Sequence, residues 1–132
     1  LAWNECSVLI IMKLSKIILV LLASLSVAYG QTYNARVTYY WDGYKTATGI
    51  KPKNGKTIAV DPKIIRYNSK VWIPKMGKTF IAQDTGSAVK SRRASRKLGK
   101  RNIVVDIYCR NRKEALTYIR KYPMFMEIKV SK

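Results

Sequence analysis

The segment Ile103-Val104-Val105-Asp106-Ile107-Tyr108 reads as the most apolar strand of the chain, and it has an aspartate set inside it. β-branched and aromatic residues favour a strand, whereas aspartate is depleted there and costly to ionise among apolar neighbours. The placement recurs twice upstream. Ile58-Ala59-Val60 runs into Asp61, and Phe80-Ile81-Ala82-Gln83 runs into Asp84. Downstream of the segment, residues 111–122 carry a helical pattern. Asn111 is a candidate N-cap, Ala115, Leu116, Ile119 and Tyr122 share one face, and Pro123 ends it. Residues 124–130 then alternate as a last strand. On the upstream side, residues 35–41 (ARVTYYW), 57–60, 71–73 and 79–83 are short strands separated by the turn signals Asp42-Gly43, Thr48-Gly49, Asn54-Gly55 and Gly77. Six short strands and one late helix predict a mainly β fold, a compact barrel.

The chain has 132 residues, enough for one domain. Met12 starts a predicted signal peptide over residues 12–30. Lys13 and Lys16 form a basic n-region, residues 17–28 an apolar stretch too short to span a bilayer comfortably, and Ala28-Tyr29-Gly30 a cleavage site before Gln31. An uncleaved membrane anchor is the alternative reading. Residues 1–11 precede this start and are read as an upstream, non-native extension. The predicted mature domain is then 31–132, secreted or periplasmic, with 24 basic against 6 acidic side chains and a net charge of +18. That excess favours a polyanionic partner met through fast, salt-sensitive encounter. Only Cys109 remains after cleavage, so no intramolecular disulfide is available to the mature form.

The chain contains no histidine. This removes Ser-His-Asp and Cys-His nucleophile systems and leaves proton transfer to Asp, Glu, Lys, Tyr or Cys. Each aspartate singly is explained by a strand end or a turn, as in Asp61-Pro62 and Asp84-Thr85-Gly86. Three such placements among six carboxylates point to a shared cleft. There, repulsion and desolvation would hold a proton on one carboxyl near neutral pH, as glycoside cleavage requires. A Ca²⁺ or Mg²⁺ site is the weaker reading, because no regular run of ligands flanks the aspartates. No cofactor is implied.

The ordered motifs Ala59-Val60-Asp61-Pro62, Ser69-Lys70-Val71-Trp72-Ile73-Pro74, Asp84-Thr85-Gly86-Ser87-Ala88-Val89-Lys90 and Val105-Asp106-Ile107-Tyr108 resemble the three-aspartate (3D) domain. That domain is related to the catalytic barrel of membrane-bound lytic transglycosylase A. The resemblance spans roughly residues 35–130. It implies a six-stranded double-psi β-barrel. It also implies non-hydrolytic cleavage of the β-1,4 bond between N-acetylmuramic acid and N-acetylglucosamine, leaving 1,6-anhydromuramoyl ends. By the resemblance, Asp106 is the acid, Asp84 supports it, and Asp61 matches the aspartate of the V-D-P motif. Thr48, Lys90 and Trp72 are the candidates for holding the glycan. The expected partners are peptidoglycan and other anionic wall polymers, with the protein as a monomer.

Two departures stand out. The family usually reads Ile-Pro-x-Gly-Ser where this chain has Ile65-Arg66-Tyr67-Asn68-Ser69; Asn68 is expected to adopt the left-handed conformation that glycine would supply. The basic segment 91–102 (SRRASRKLGKRN) is inserted between the second and third aspartates, as a solvated loop, a wall-binding arm or a block on the cleft. Three rivals remain. Asp84-Thr85-Gly86 resembles an aspartic-protease motif, but it leaves Asp61 and Asp106 unexplained. Expansin-like and rare-lipoprotein-A-like barrels bind or loosen walls without cleaving them. The run of cations beside Tyr39, Tyr40 and Trp41 suggests nucleic acid, a lesser partner for a chain with a signal peptide.

Overall fold

The computed structural model describes residues 5–28 and 30–132, with side chains described at 5–19 and from residue 30 onward. Residues 1–4 of the expected extension and Tyr29 of the expected cleavage site lie outside the described residues. The chain divides into two units, residues 1–30 and 31–132. Among its described residues the first holds one helix, α1 (Glu5–Ala28), which runs through Met12 without a break. Among the described residues no helix is long and apolar enough to cross a membrane.

The second unit is a closed barrel of six strands: β1 (Gln31–Tyr40), β2 (Thr57–Ala59), β3 (Lys70–Ile73), β4 (Lys78–Asp84), β5 (Val104–Tyr108) and β6 (Phe125–Ser131). Around the barrel the order is β1-β5-β2-β4-β3-β6. β1 pairs β5 in parallel and β2 pairs β4 in parallel; the other four seams are antiparallel. Exchanging the first three strands for the last three leaves this order and these directions unchanged. Closure removes the unpaired edges that six such short strands would otherwise expose.

Alternation explains the core. Val37, Ile58, Val60, Val71, Ile73, Phe80, Ala82, Val105, Ile107, Met126 and Ile128 are all buried inside the barrel. Residues between them along the strands face outward. Ile107 and Ile58 are opposite one another across the β2–β5 seam. Fully burying one such side chain stabilises the fold by roughly 1.5–3 kcal/mol. The Ser87–Lys90 and Arg93–Arg96 segments form two single helical turns, α2 and α3. The expected late helix forms as α4 (Arg112–Lys121), and the Asn111 side chain accepts from the Glu114 N–H, capping it. Asn68 has φ 69, in the left-handed region anticipated for it.

Val89 of α2 is buried with Ala59 and Val104, and within the basic segment 91–102 Ala94 of α3 packs on the same cluster. The Arg92 guanidinium donates to the Arg101 carbonyl at 2.9 Å and closes the segment on itself. The segment touches the barrel through Ala94 and the buried Ser95 and borders a cleft there, while residues 96–101 are exposed.

Candidate active site

The outer faces of β1, β5, β2 and β4 carry the polar residues of interest. Thr38 on β1 pairs with Asp106 on β5, and Asp106 pairs with Ala59 on β2. Ala59 also stands opposite Asp84 on β4. Asp84 and Asp106 therefore flank one residue on the same level of the barrel, with backbones about 9–10 Å apart by strand spacing.

Asp84 reaches this face because of a β-bulge. Along β4, Phe80 and Ala82 point inward, so simple alternation would send Asp84 inward as well. The register instead steps from Ile58 opposite Ala82 to Ala59 opposite Asp84, which leaves Gln83 as the extra residue. Thr48 satisfies the carbonyl that the bulge frees. Its N–H and its hydroxyl both donate to the Gln83 oxygen, at 3.2 and 2.9 Å. The Gln83 side chain accepts from the buried Thr57 hydroxyl at 2.9 Å. The re-aimed Asp84 carboxylate accepts three hydrogen bonds: from the Tyr40 hydroxyl at 2.7 Å, the Ala47 N–H at 3.0 Å and the Thr85 N–H at 2.9 Å. Three donors on two oxygens suit an ionised carboxylate, which is an acceptor only.

Asp106 is treated differently. Its carboxylate accepts one short bond, from the Thr38 hydroxyl at 2.8 Å. Val104 and Ala59 lie beside it on the strands and are buried with Val89 of α2. Burial among these groups pushes its pKa up from 3.8 to about 6; the Thr38 hydrogen bond opposes the rise, and the charge of Asp84 adds to it. Tyr40 is pushed well above the ordinary tyrosine value by burial and then by its bond to Asp84, so it remains a neutral donor. The two carboxyls thus stand two strands apart in opposite environments, one held by three donors and one short of solvation.

Asp106 faces a cleft of about 460 Å³ lined by Thr38, Val104, Val89 of α2, Arg93 and Ala94 of α3, Lys97 just after it, and by Arg36 and Met124. The sequence-based expectations are met unevenly. Asp84 and Asp106 flank Ala59 on one level of the barrel, and of the three aspartates Asp106 is the one that lines this cleft. Asp61 follows β2, its Oδ1 accepts from the Lys63 N–H at 3.0 Å, and its carbonyl accepts from the Ile64 and Ile65 N–H groups. Asp61 lines a narrow crevice with Ile65 and Arg92 that shares Val89 and Val104 with the Asp106 cleft. Its Oδ1 closes the turn that follows β2. Thr48 holds the bulge beneath Asp84 and lies outside the cleft lining. Lys90 is exposed at the end of α2 and does not line the cleft, whereas Arg93 and Lys97 do. Trp72 lies on the outer face of β3, directly across the barrel from β5, so it cannot stack on a sugar held at Asp106.

Thr38 and Tyr40 are the site residues that the sequence reading missed. Their signal was present in the alternation of β1: with Val37 buried, both fall on the outer face, though only the parallel register with β5 reveals what they meet. Among the described residues no group of three His, Cys, Asp or Glu side chains gathers to hold a metal ion. Cys109 is fully buried, and burial raises its thiol to about 12, which makes it inert.

A closed, mainly β six-stranded barrel with an acid facing an outer cleft and a second acid two strands away defines a class of small acid-bearing barrels. Residues 56–125 match the 3D domain, and the chain belongs to the 3D domain family, which is associated with lytic-transglycosylase-like barrels. No curated protein is similar enough to the chain to count as a match.

Proposed function

We propose that this protein is a peptidoglycan lytic transglycosylase of the bacterial cell envelope, built on a double-psi barrel, with Asp106 as its acid and then its base. The observation that carries this reading is the Asp106 carboxyl, which lines the cleft, is raised to about 6, and has Asp84 two strands away on the same level. A catalytic acid works best with a pKa near the working pH. Protonated Asp106 would deliver its proton to the glycosidic oxygen between N-acetylmuramic acid and N-acetylglucosamine. Positive charge then develops at the anomeric carbon, and the anionic Asp84, held by Tyr40, Ala47 and Thr85, favours that charge electrostatically. Ionised Asp106 would next take the proton of the sugar's own 6-hydroxyl, whose oxygen closes on the anomeric carbon. The nucleophile is intramolecular, so no second base is needed to activate water. This accommodates a site with two carboxyls on one level rather than three. The large positive charge suits an anionic wall as partner and a secreted or periplasmic location.

The position of Asp61 favours a second reading, a barrel of the expansin-like or rare-lipoprotein-A-like kind that binds or loosens the wall without cleaving it. Mass spectrometry of purified peptidoglycan incubated with the protein separates the two. Anhydromuropeptides are expected from the protein and absent with Asp106→Asn. Ordinary reducing muramic ends would mean hydrolysis, and wall binding without products would leave the binding barrel.

A further inference from the structure

The cleft that contains Asp106 has a second charged region. Arg93 and Lys97 lie one helical turn apart, the Lys97 N–H donating to the Arg93 carbonyl at 3.1 Å, so both occupy the same side of the inserted segment. Arg36 faces them from β1. Its position pairs with Val104, two residues before Asp106, which places the Arg36 level about 7 Å along the strands from the acid. Arg36 Nε is buried and has no acceptor, while its Nη1 bonds the Val37 and Met124 carbonyls at 3.2 and 3.4 Å. None of the three cations forms an ion pair within 4 Å among the described residues. Asp106 is the only acidic side chain among the described residues lining this cleft, and the charge that acts on its carboxyl is that of Asp84. The cations therefore do not neutralise the acid.

We propose that Arg36, Arg93 and Lys97 form an anion subsite that takes the free lactyl carboxylate of a peptide-free muramic residue, on the sugar next to the bond held at Asp106. The inference rests on the glycan-cleaving reading and adds to it a specificity device located in this chain's own insertion. Arg93 and Lys97 are exposed, so a carboxylate in the cleft can accept charge-assisted hydrogen bonds from both, while the Arg36 guanidinium, held by the Val37 and Met124 carbonyls and packed over the Phe125 ring, adds positive charge behind them. The apolar neighbours Val89, Ala94 and Val104 lower the local polarity, so a charge pair there is worth more than one on the open surface. Carboxylated aminosugar strands would be selected over neutral chitin-like strands of the same backbone.

The test measures binding of the full-length chain, carrying Asp106→Asn to keep the glycan whole, to three strands. These are peptide-free N-acetylmuramic acid–N-acetylglucosamine glycan, the same glycan with its carboxyls methyl-esterified, and a chito-oligosaccharide. The free-acid glycan is expected to bind about tenfold more tightly than its ester, one charge-assisted bond's worth. R93Q/K97Q is expected to reduce that preference to near unity, and R93K/K97R to keep most of it. R120Q/K121Q on α4 removes the same charge elsewhere and is expected to leave the preference intact. Arg93 and Lys97 are exposed, so their substitution spares the core. A preference unchanged in R93Q/K97Q, lost equally in R120Q/K121Q, or never present overturns the subsite. Absence of anhydro products from the unsubstituted protein, with the carboxylate preference intact, would overturn the catalytic reading alone.

Discussion

Replacing Asp106 by Asn is expected to stabilise the protein above neutral pH while abolishing cleavage. The carboxyl has its ordinary value of 3.8 in the unfolded chain and about 6 in the folded one. Between these values the folded state keeps a proton that the unfolded state has lost. The unfolded state then binds fewer protons, so stability falls as pH rises through this window. A difference of roughly two pH units corresponds to about 3 kcal/mol, fully lost above about pH 7. That is a large share of the roughly 5–15 kcal/mol by which domains are usually stable. The amide that replaces the carboxyl stays neutral at every pH, and its oxygen can still accept from Thr38. Urea unfolding of the two proteins, followed by tryptophan fluorescence at about pH 3.5 and about pH 7.5, reads the difference directly. Asp106→Asn should match the parent at the lower pH and exceed it at the higher by up to about 3 kcal/mol. Titrations elsewhere in the chain cancel in the comparison. A gap that is the same at both pH values, or a variant less stable than the parent near pH 7.5, would refute the buried-acid argument.

Thr38→Val removes the hydrogen bond that opposes the rise at Asp106, so the acid should hold its proton to higher pH. The alkaline limb of kcat/KM for peptidoglycan cleavage is expected to move up by about half a pH unit or more; a limb that stays or moves down contradicts this. Asp61→Asn should retain cleavage within about threefold, because an amide oxygen can still accept the Lys63 N–H. A loss as deep as that of Asp106→Asn, measured by the same product assay, would return Asp61 to the chemistry. Thiol labelling of the full chain should count one reactive cysteine under native conditions, the exposed Cys6, and two in urea as Cys109 is uncovered. A second native thiol would mean that Cys109 is not sealed in the fold.

Much of the architecture was legible in local sequence. The six expected strands and the late helix match the observed elements to within a few residues, because alternating apolar positions and turn residues leave each segment one face to bury. The short turns α2 and α3 escaped notice. With Val89 as their only fully buried apolar side chain, they show no amphipathic period long enough to read, and a run of arginines and lysines ordinarily signals a solvated loop. Trp72 was expected at the site for its chemistry. Its place across the barrel follows from strand order, which a strand's own composition does not encode.

Neighbouring residues alone were enough to set the strands, the helix cap at Asn111, the left-handed Asn68 and the concentration of acid at three strand ends. They carried the family motifs as well, since each of these spans only a few positions. Which acids meet was settled by the assembled barrel. Asp84 joins Asp106 because a one-residue bulge, clamped by Thr48, turns it to the outer face, and because β2 sits between β4 and β5. Asp61 is left outside because its carboxyl closes its own turn. Side-chain direction in a sheet reverses with each residue, so a single shift in register, held by contacts between segments far apart in the chain, determines which face a carboxyl serves.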